Sequence, residues 1–302
     1  MSIIEDFRLN HRADISELSF TLYVIRHSPL TILGFGIVSG LVVMAVLAPI
    51  IIPYPQDAYA AMHPENALMS VSIQHPFGTD ELGRDLFSRC IYGARISLQV
   101  GVIVILVAAI TGVVLGGLSG YYGGVIDQAI MRLTDAFLSI PSLILALAVA
   151  ATLGPGLNNA MAAIAVTWWP WYARLVRGQV LEIKQELYVE AARAMGGPNV
   201  YIIFKHIMPN ALGPILVNAS MDIGFAILTA ASLGFLGLGA QAPAPEWGLI
   251  IGTGRKYLLT QWWYTTFPGM MIFLSVLGFN LLGDGLRDLL DPRMRRKGRV
   301  KK

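Results

Sequence analysis

The chain has 302 residues, 55% of them hydrophobic and only 14% charged, with a formal net charge of +3. Soluble domains carry about 25% charged residues, so the composition excludes an ordinary water-soluble globule. Cys90 is the only cysteine, which excludes an intrachain disulfide.

Residues 1–29 hold Glu5, Asp6, Arg8, Arg12, Asp14 and Glu17 and lack the continuous apolar core of a secretory signal. They are expected to form an uncleaved cytoplasmic segment. No Asp, Glu, Lys or Arg occurs in 27–56, 96–126, 136–173, 223–245 or 257–283. A helix needs about 20 apolar residues to cross a bilayer, so each run suffices for one crossing. The 136–173 run suffices for two, broken by the Gly-Pro-Gly and Asn-Asn of 153–159. The pattern predicts an all-α membrane protein with six transmembrane helices near 30–52, 97–118, 137–153, 159–176, 211–236 and 267–284. The regions are then a first helix with an external loop (30–96), a core of five helices (97–284) with a loop at 177–210, and a basic tail (285–302). With six crossings both termini share one side. That side collects seventeen Lys and Arg against five on the other, which places both termini in the cytoplasm.

The external stretch after the first span packs Asp80, Glu81, Arg84, Asp85 and Arg89 together, either as a partner-contact patch or as an intramolecular network. The glycines of 116–120 and 123–124 lack the lysine of a phosphate loop and suit close helix packing and a tight turn. Trp168, Trp169, Pro170, Trp171 and Tyr172 fall in the inner half of span four. They form a gate to the solute or a packing cluster at the interface. In the loop that follows, Leu181–Met195 is rich in helix formers. Gly196, Gly197 and Pro198 stop it, and a second short helix restarts at Asn199 and ends at Pro209. The expectation is a rigid hairpin of two short helices, anchored in the membrane and able to transmit force. Asp222 lies about 15 Å into span five. It either lines the path, binding a solute ammonium, or is a paired structural carboxylate. Pro243, Pro245, Glu246 and Trp247 form a stiff exposed corner that contacts a partner or closes over a cavity. Trp262, Trp263 and Tyr264 suit an external aromatic anchor, and the tail suits anionic lipid.

No phosphate loop, HExxH or nucleophile elbow is present, and histidines 11, 27, 63, 75 and 206 show no metal spacing. No catalytic residue, no metal and no cofactor bound by the chain is expected. A DNA reader needs a basic helix free to reach a groove. The membrane-clamped hairpin has few positive charges, so nucleic acid is not an expected partner.

The residues also carry a resemblance. Glu190-Ala191-Ala192, then Gly196, then Ile207-Met208-Pro209 resembles the "EAA" loop of ATP-binding-cassette importer permeases. His206 and Met208 occupy the consensus Ile and Leu places. His75 to Arg89, Tyr92 to Leu98, Ala231 to Gln241, Pro245 to Gly248 and Phe279 to Asp288 are similar to the second permease of the dipeptide, oligopeptide and nickel branch. The resemblance implies a type I importer permease fold in a bacterial inner membrane. It implies a second homologous permease, two ATP-binding-cassette ATPases that carry the ATP and Mg, and an external solute-binding protein. It also implies coupling to the ATPases through Glu190, Ala191, Ala192, Arg193, Gly196, His206 and Pro209. Asp222, Trp168 and Trp169 are candidate path residues. Asp80, Glu81, Arg84, Glu246 and Trp247 are candidate contacts for the binding protein. The implied solutes are di- or oligopeptides; Gln261–Tyr264 with Phe267–Gly269 is similar to D,D-dipeptide permeases. Nickel chelates, glutathione and opines are alternatives. The competing class is an ion-coupled transporter or channel, which needs intramembrane relay groups. Asp222 alone qualifies.

Overall fold

Asp85 sets where one of the two longest helices among the described residues begins. Its carboxylate accepts the Ser88 backbone N–H at 2.7 Å, capping α2, Leu86–Tyr122, a helix of 37 residues. The structure, a computed structural model, describes residues 28–290. Residues 1–27 and the basic tail from 291 lie outside the described residues. Among those described, the chain folds into helices with no strand. α1 is Pro29–Ile51, and α3 (Gly124–Leu138) and α4 (Ser142–Leu153) follow α2. Then come α5 (Leu157–Ile183), α6 (Leu187–Ala194), α7 (Met208–Phe235), α8 (Trp247–Gly254) and α9 (Trp263–Leu290).

Several expected boundaries move, for identifiable reasons. α2 begins at Leu86 rather than 97 because Arg89 is buried in protein, so a charge read as loop sits inside a helix. The span expected at 137–153 is a pair, α3 and α4, bent by 90°. Pro141 lacks the N–H to continue α3 and biases Ile140 away from helical backbone. The 96/97 boundary of the expected core falls inside α2. Among the described residues, four helices are long and apolar enough to cross a membrane: α1, α2, the continuous rod Asn199–Phe235, and α9. The bent pair, counted as one span, makes five by length and composition alone. α5 falls short of that measure because Asn158, Asn159, Thr167, Arg174 and Arg177 dilute its apolar content.

α2 packs most extensively on α5, and the sequence shows why. Gly112, Gly116 and Gly120 form one small-residue ridge at four-residue spacing. A Cβ added at Gly112 would stand 2.3 Å from Tyr172 Cβ, and one at Gly116 2.3 Å from the Ala173 carbonyl oxygen. Backbones this close permit dispersion contacts along the whole seam. α7 lies against α2, α5 and α9, and α1 closes the bundle against α9 and α2. Gly116→Ala is expected to force the seam apart and cost about 1–3 kcal/mol. Gly117→Ala, whose Cβ would meet only the flexible Met208 tip at 3.4 Å, serves as the near-neutral control. Thermal denaturation of the purified variants, followed by intrinsic fluorescence, checks the pair.

The two long connections cap the α2 N-terminus, and the α6 region packs at its other end, about 55 Å away along the helix.

Candidate functional site

The α6 region is a bent strut between two long helices. Lys184, Gln185 and Glu186 turn the chain out of α5, and α6 runs only Leu187–Ala194, shorter than the expected 181–195. The carbonyl turn is held by Lys184 Nζ donating to Gly120 O at 2.9 Å. Gly197 N–H donates to Ala192 O at 3.1 Å and Gly196 N–H to Arg193 O at 2.9 Å, closing α6 in a Schellman arrangement with Gly196 at φ +82°. The expected second short helix is not separate. Asn199–Ile202 passes through a wider π turn, Ile203–Ile207, directly into α7. Pro209 follows just after that π turn, whose wider backbone accommodates a residue with no N–H to donate.

Val189 and Ala192 are buried in one cluster with Ile183, Ile202 and Ile207, which fixes α6 to both neighbours. Glu190, Ala191, Arg193, Gly196 and Pro209 are exposed. The half-buried His206 ring lies against Tyr201 at 5.3 Å and Tyr188 at 6.3 Å. Large apolar side chains stand exposed in and beside α6: Leu187 is 80% exposed, Met195 82% and Phe204 71%. Several large apolar side chains left exposed on one short segment mark a protein or membrane contact.

Between the two ends, Tyr172 of α5 is buried and its hydroxyl donates to Asp222 Oδ2 of α7 at 2.6 Å. Trp168 is half-buried, but Trp169 is buried edge-on against Phe137 at 5.6 Å. Trp169 is thus withdrawn from any open surface, and Trp171 is the exposed indole of the cluster. Nearer α6, Arg177 of α5 grips Asp127 of α3 with two hydrogen bonds of 2.6 and 2.7 Å, and Ser119 of α2 donates to the same carboxylate at 2.5 Å. Arg174 also pairs with Asp135.

The opposite end is a polar lattice folded inward. Asp80 Oδ1 accepts the Leu82 and Arg84 backbone N–H groups at 2.9 Å each, and Oδ2 accepts Arg84 Nε at 2.7 Å, with Arg89 Nε 3.6 Å away. Asp57 accepts the Asp85 N–H at 2.8 Å and meets His63 at 3.0 Å, while His75 meets Asp85 at 3.0 Å. Tyr264 donates to Glu81. Glu246 caps α8 through the Gly248 and Leu249 N–H groups, both at 2.8 Å. Burial pushes its carboxyl above the ordinary range while those two donors pull it back. Trp247 Nε1 donates to Cys90 O at 2.9 Å.

The expected exposed corner is therefore corrected. Pro243 is exposed, but Pro245, Glu246 and Trp247 are buried because Trp247 fills the space over Gly93 and Glu246 is occupied as a helix cap. Asp80 and Arg84 are buried as mutual partners, and only Glu81 of the five candidate contacts is half-exposed. Trp263 and Tyr264 are likewise buried beneath the loops, leaving Trp262 as the outward aromatic. Among the described residues, no group of three or more His, Cys, Asp or Glu is arranged to hold a metal ion.

Residues 112–296 match the family model described as "binding-protein-dependent transport system inner membrane component". The chain belongs to this family. It is a multi-pass inner-membrane permease subunit. The permease is 48% identical over 271 residues to a dipeptide transport system permease protein of Alkalihalophilus pseudofirmus, covering 90% of this chain and 88% of that one. It is 48% identical over 278 residues to a probable D,D-dipeptide transport system permease protein of Escherichia coli K12, covering 90% of each. It is 46% identical over 255 residues to a glutathione transport system permease protein of Pectobacterium atrosepticum, covering 84% of each. Its fold is similar to that of the inward-facing methionine ABC transporter MetNI, with a TM-score of 0.54 and 24% identity over 68% of this chain and 98% of that one. The type I importer permease fold expected from the sequence is the fold observed.

Tyr172, Asp127, Asp57, His63 and His75 all gained partners in this permease that sequence reading did not supply. The Tyr172–Asp222 and Asp127–Arg177 partners are each 50 residues apart in the chain, and no periodicity connects such positions.

Proposed function

We propose that the permease forms half of the transmembrane path of an ATP-driven importer for short peptides. α6 would be the point where a neighbouring ATPase acts. The observation that carries this is the strut itself: a short helix, locked by Val189 and Ala192 to α5 and the Asn199–Phe235 rod, with an apolar face left uncovered. A separate protein with a complementary groove would cover Leu187, Met195 and Phe204, with Glu190 and Arg193 at its rim. Movement of α6 would pass directly into the rod, because Asn199 to Phe235 is one unbroken helical element.

In this reading α1, α2, the α3–α4 pair, α5, α7 and α9 supply six crossings, both termini and α6 are cytoplasmic, and the Asp80 lattice faces outward. The partners are a second homologous permease, two ATP-binding-cassette ATPases holding ATP and Mg, and an external solute-binding protein, with lipid around the bundle. The chain itself binds no cofactor. The buried Asp80, Arg84, Glu246 and Trp247 hold the outer cap in shape, and contact with the binding protein falls to its exposed residues, including Pro243. ATP-driven closure of the ATPases would draw the two α6 elements together and open the path outward; hydrolysis would reverse this. The solutes named for the three curated relatives, dipeptides, D,D-dipeptides and glutathione, share a free ammonium and at least one carboxylate. A zwitterionic short peptide is the proposed cargo class.

A photo-crosslinking amino acid at Ala191 tests the reading in native membranes. Capture of an ATP-hydrolysing subunit is expected. Capture of lipid alone, or reconstituted transport on a proton gradient without ATP, would overturn it.

A further inference from the structure

Asn218, Asp222, Phe225, Thr229 and Ser232 succeed one another at helical spacing along one narrow arc of α7, and none is fully buried. Three of these polar groups are satisfied by their own helix. Asn218 Nδ2 donates to Pro214 O at 2.8 Å, Thr229 Oγ1 to Phe225 O at 2.8 Å and Ser232 Oγ to Leu228 O at 2.9 Å. Groups satisfied in this way tolerate an apolar environment. Asp222 does not share this solution, since an ionised carboxylate has no proton to give a carbonyl. Its Oδ2 is held from the side by Tyr172, and Oδ1 has no partner among the described residues. It is also the only Asp, Glu, Lys or Arg between Lys205 and Glu246. A half-open carboxylate in the middle of an apolar helix cannot face hydrocarbon without large cost, so this arc faces water or protein.

We propose that Asp222, positioned by Tyr172, is a cation-binding residue of the translocation path and takes the ammonium group of the passing peptide. This rests on the importer reading above. Oδ1 would accept one N–H of the ammonium, and Phe225, one turn along the same arc, supplies an aromatic group to the same cation. Tyr172 belongs to α5 and Asp222 to the rod, and α6 joins those two helices. Any motion that changes their separation therefore acts on the bond that orients the carboxylate, so the site would grip in one state and release in the other.

The test uses the whole complex, with both permeases, the ATPases and the binding protein, in proteoliposomes loaded with ATP. Uptake of radiolabelled alanyl-alanine, in L,L and D,D forms, is measured beside stimulation of ATP hydrolysis by the loaded binding protein. Asp222→Asn retains an acceptor for Tyr172 and removes only the charge. It is expected to lower uptake roughly tenfold or more while leaving the stimulation intact, with Asp222→Glu restoring much of the uptake. Tyr172→Phe is expected to fall between. Unchanged uptake in Asp222→Asn would overturn the proposal. So would a parallel loss of uptake and stimulation, or of assembly, because Asp222 would then be a structural joint. Absence of ATP-driven uptake by the unmutated complex would instead overturn the importer reading.

Discussion

Gly196→Val is expected to uncouple the permease: insertion and assembly persist while solute uptake per ATP hydrolysed falls steeply. Gly196 sits at φ +82° with open space around the position of a Cβ. The substitution therefore acts through the backbone alone. A side chain in left-handed backbone costs about 1–2 kcal/mol, and a β-branched one is the least suited to it. The strain falls on the closure made by the Gly196 and Gly197 N–H groups, which fixes the angle between α6 and the rod. A shift of that size changes the population of the native α6 geometry by about 5–30-fold. Gly196→Asn, which tolerates this conformation, is the matched control and is expected to retain most of the uptake. Glu190→Lys tests the same element from the surface: Glu190 is exposed, so reversing its charge leaves the fold intact and disturbs only what docks there. ATP hydrolysis and uptake measured on the same proteoliposomes separate coupling from stability. Equal uptake per ATP in Gly196→Val and the parent would remove α6 from the mechanism.

Asp80→Ala is expected to loosen the whole outer cap. Asp80 is buried, and so are its partners Arg84 and Arg89. Burial itself raises the Asp80 carboxyl above its ordinary range, while Arg84 and Arg89 draw it back. Removing the carboxylate strands two buried guanidinium groups and the backbone donors of Leu82 and Arg84. Breaking a buried pair in this way costs about 3–5 kcal/mol. The loss is local, so hydrogen exchange over residues 57–85 is the direct readout, with faster exchange there and near-parental protection in α2 and α5. Asp80→Asn keeps an acceptor for the backbone donors and loses only the charge, so its effect should be smaller. Glu81→Ala removes one partly exposed partner of Tyr264 and is expected to change little. If Asp80→Ala exchanges like the parent, the lattice does not hold the cap.

Much of the α6 region was legible before the structure. Gly196, Gly197 and Pro198 announce a break, and helix formers precede it. The second helix of the expected hairpin was misread because Pro209 looked like a boundary. The π turn of Ile203–Ile207 just before it widens the backbone to accept a residue without an N–H, so the helix runs through from Asn199 to Phe235. The charged cluster from Asp80 to Arg89 was read both as a surface patch and as an internal network. Only the network survives for Asp80, Arg84 and Arg89, since their partners come from the connection between α1 and α2 and from the one between α7 and α8. Trp169 and Trp168 were grouped as neighbours in sequence, yet one faces Phe137 in the interior and the other does not.

By itself the sequence determined the class of molecule: uncharged runs of bilayer length dictate membrane-crossing helices, and glycines and prolines dictate where several of them stop. These are local properties, set by a residue and its near neighbours. The tertiary structure alone decided which polar groups meet: Asp222 with Tyr172, Asp127 with Arg177, Trp247 with the Cys90 carbonyl. Such pairs depend on how two helices are rotated and how closely their backbones approach. That is governed by packing across the seam of Gly112, Gly116 and Gly120 rather than by spacing along the chain.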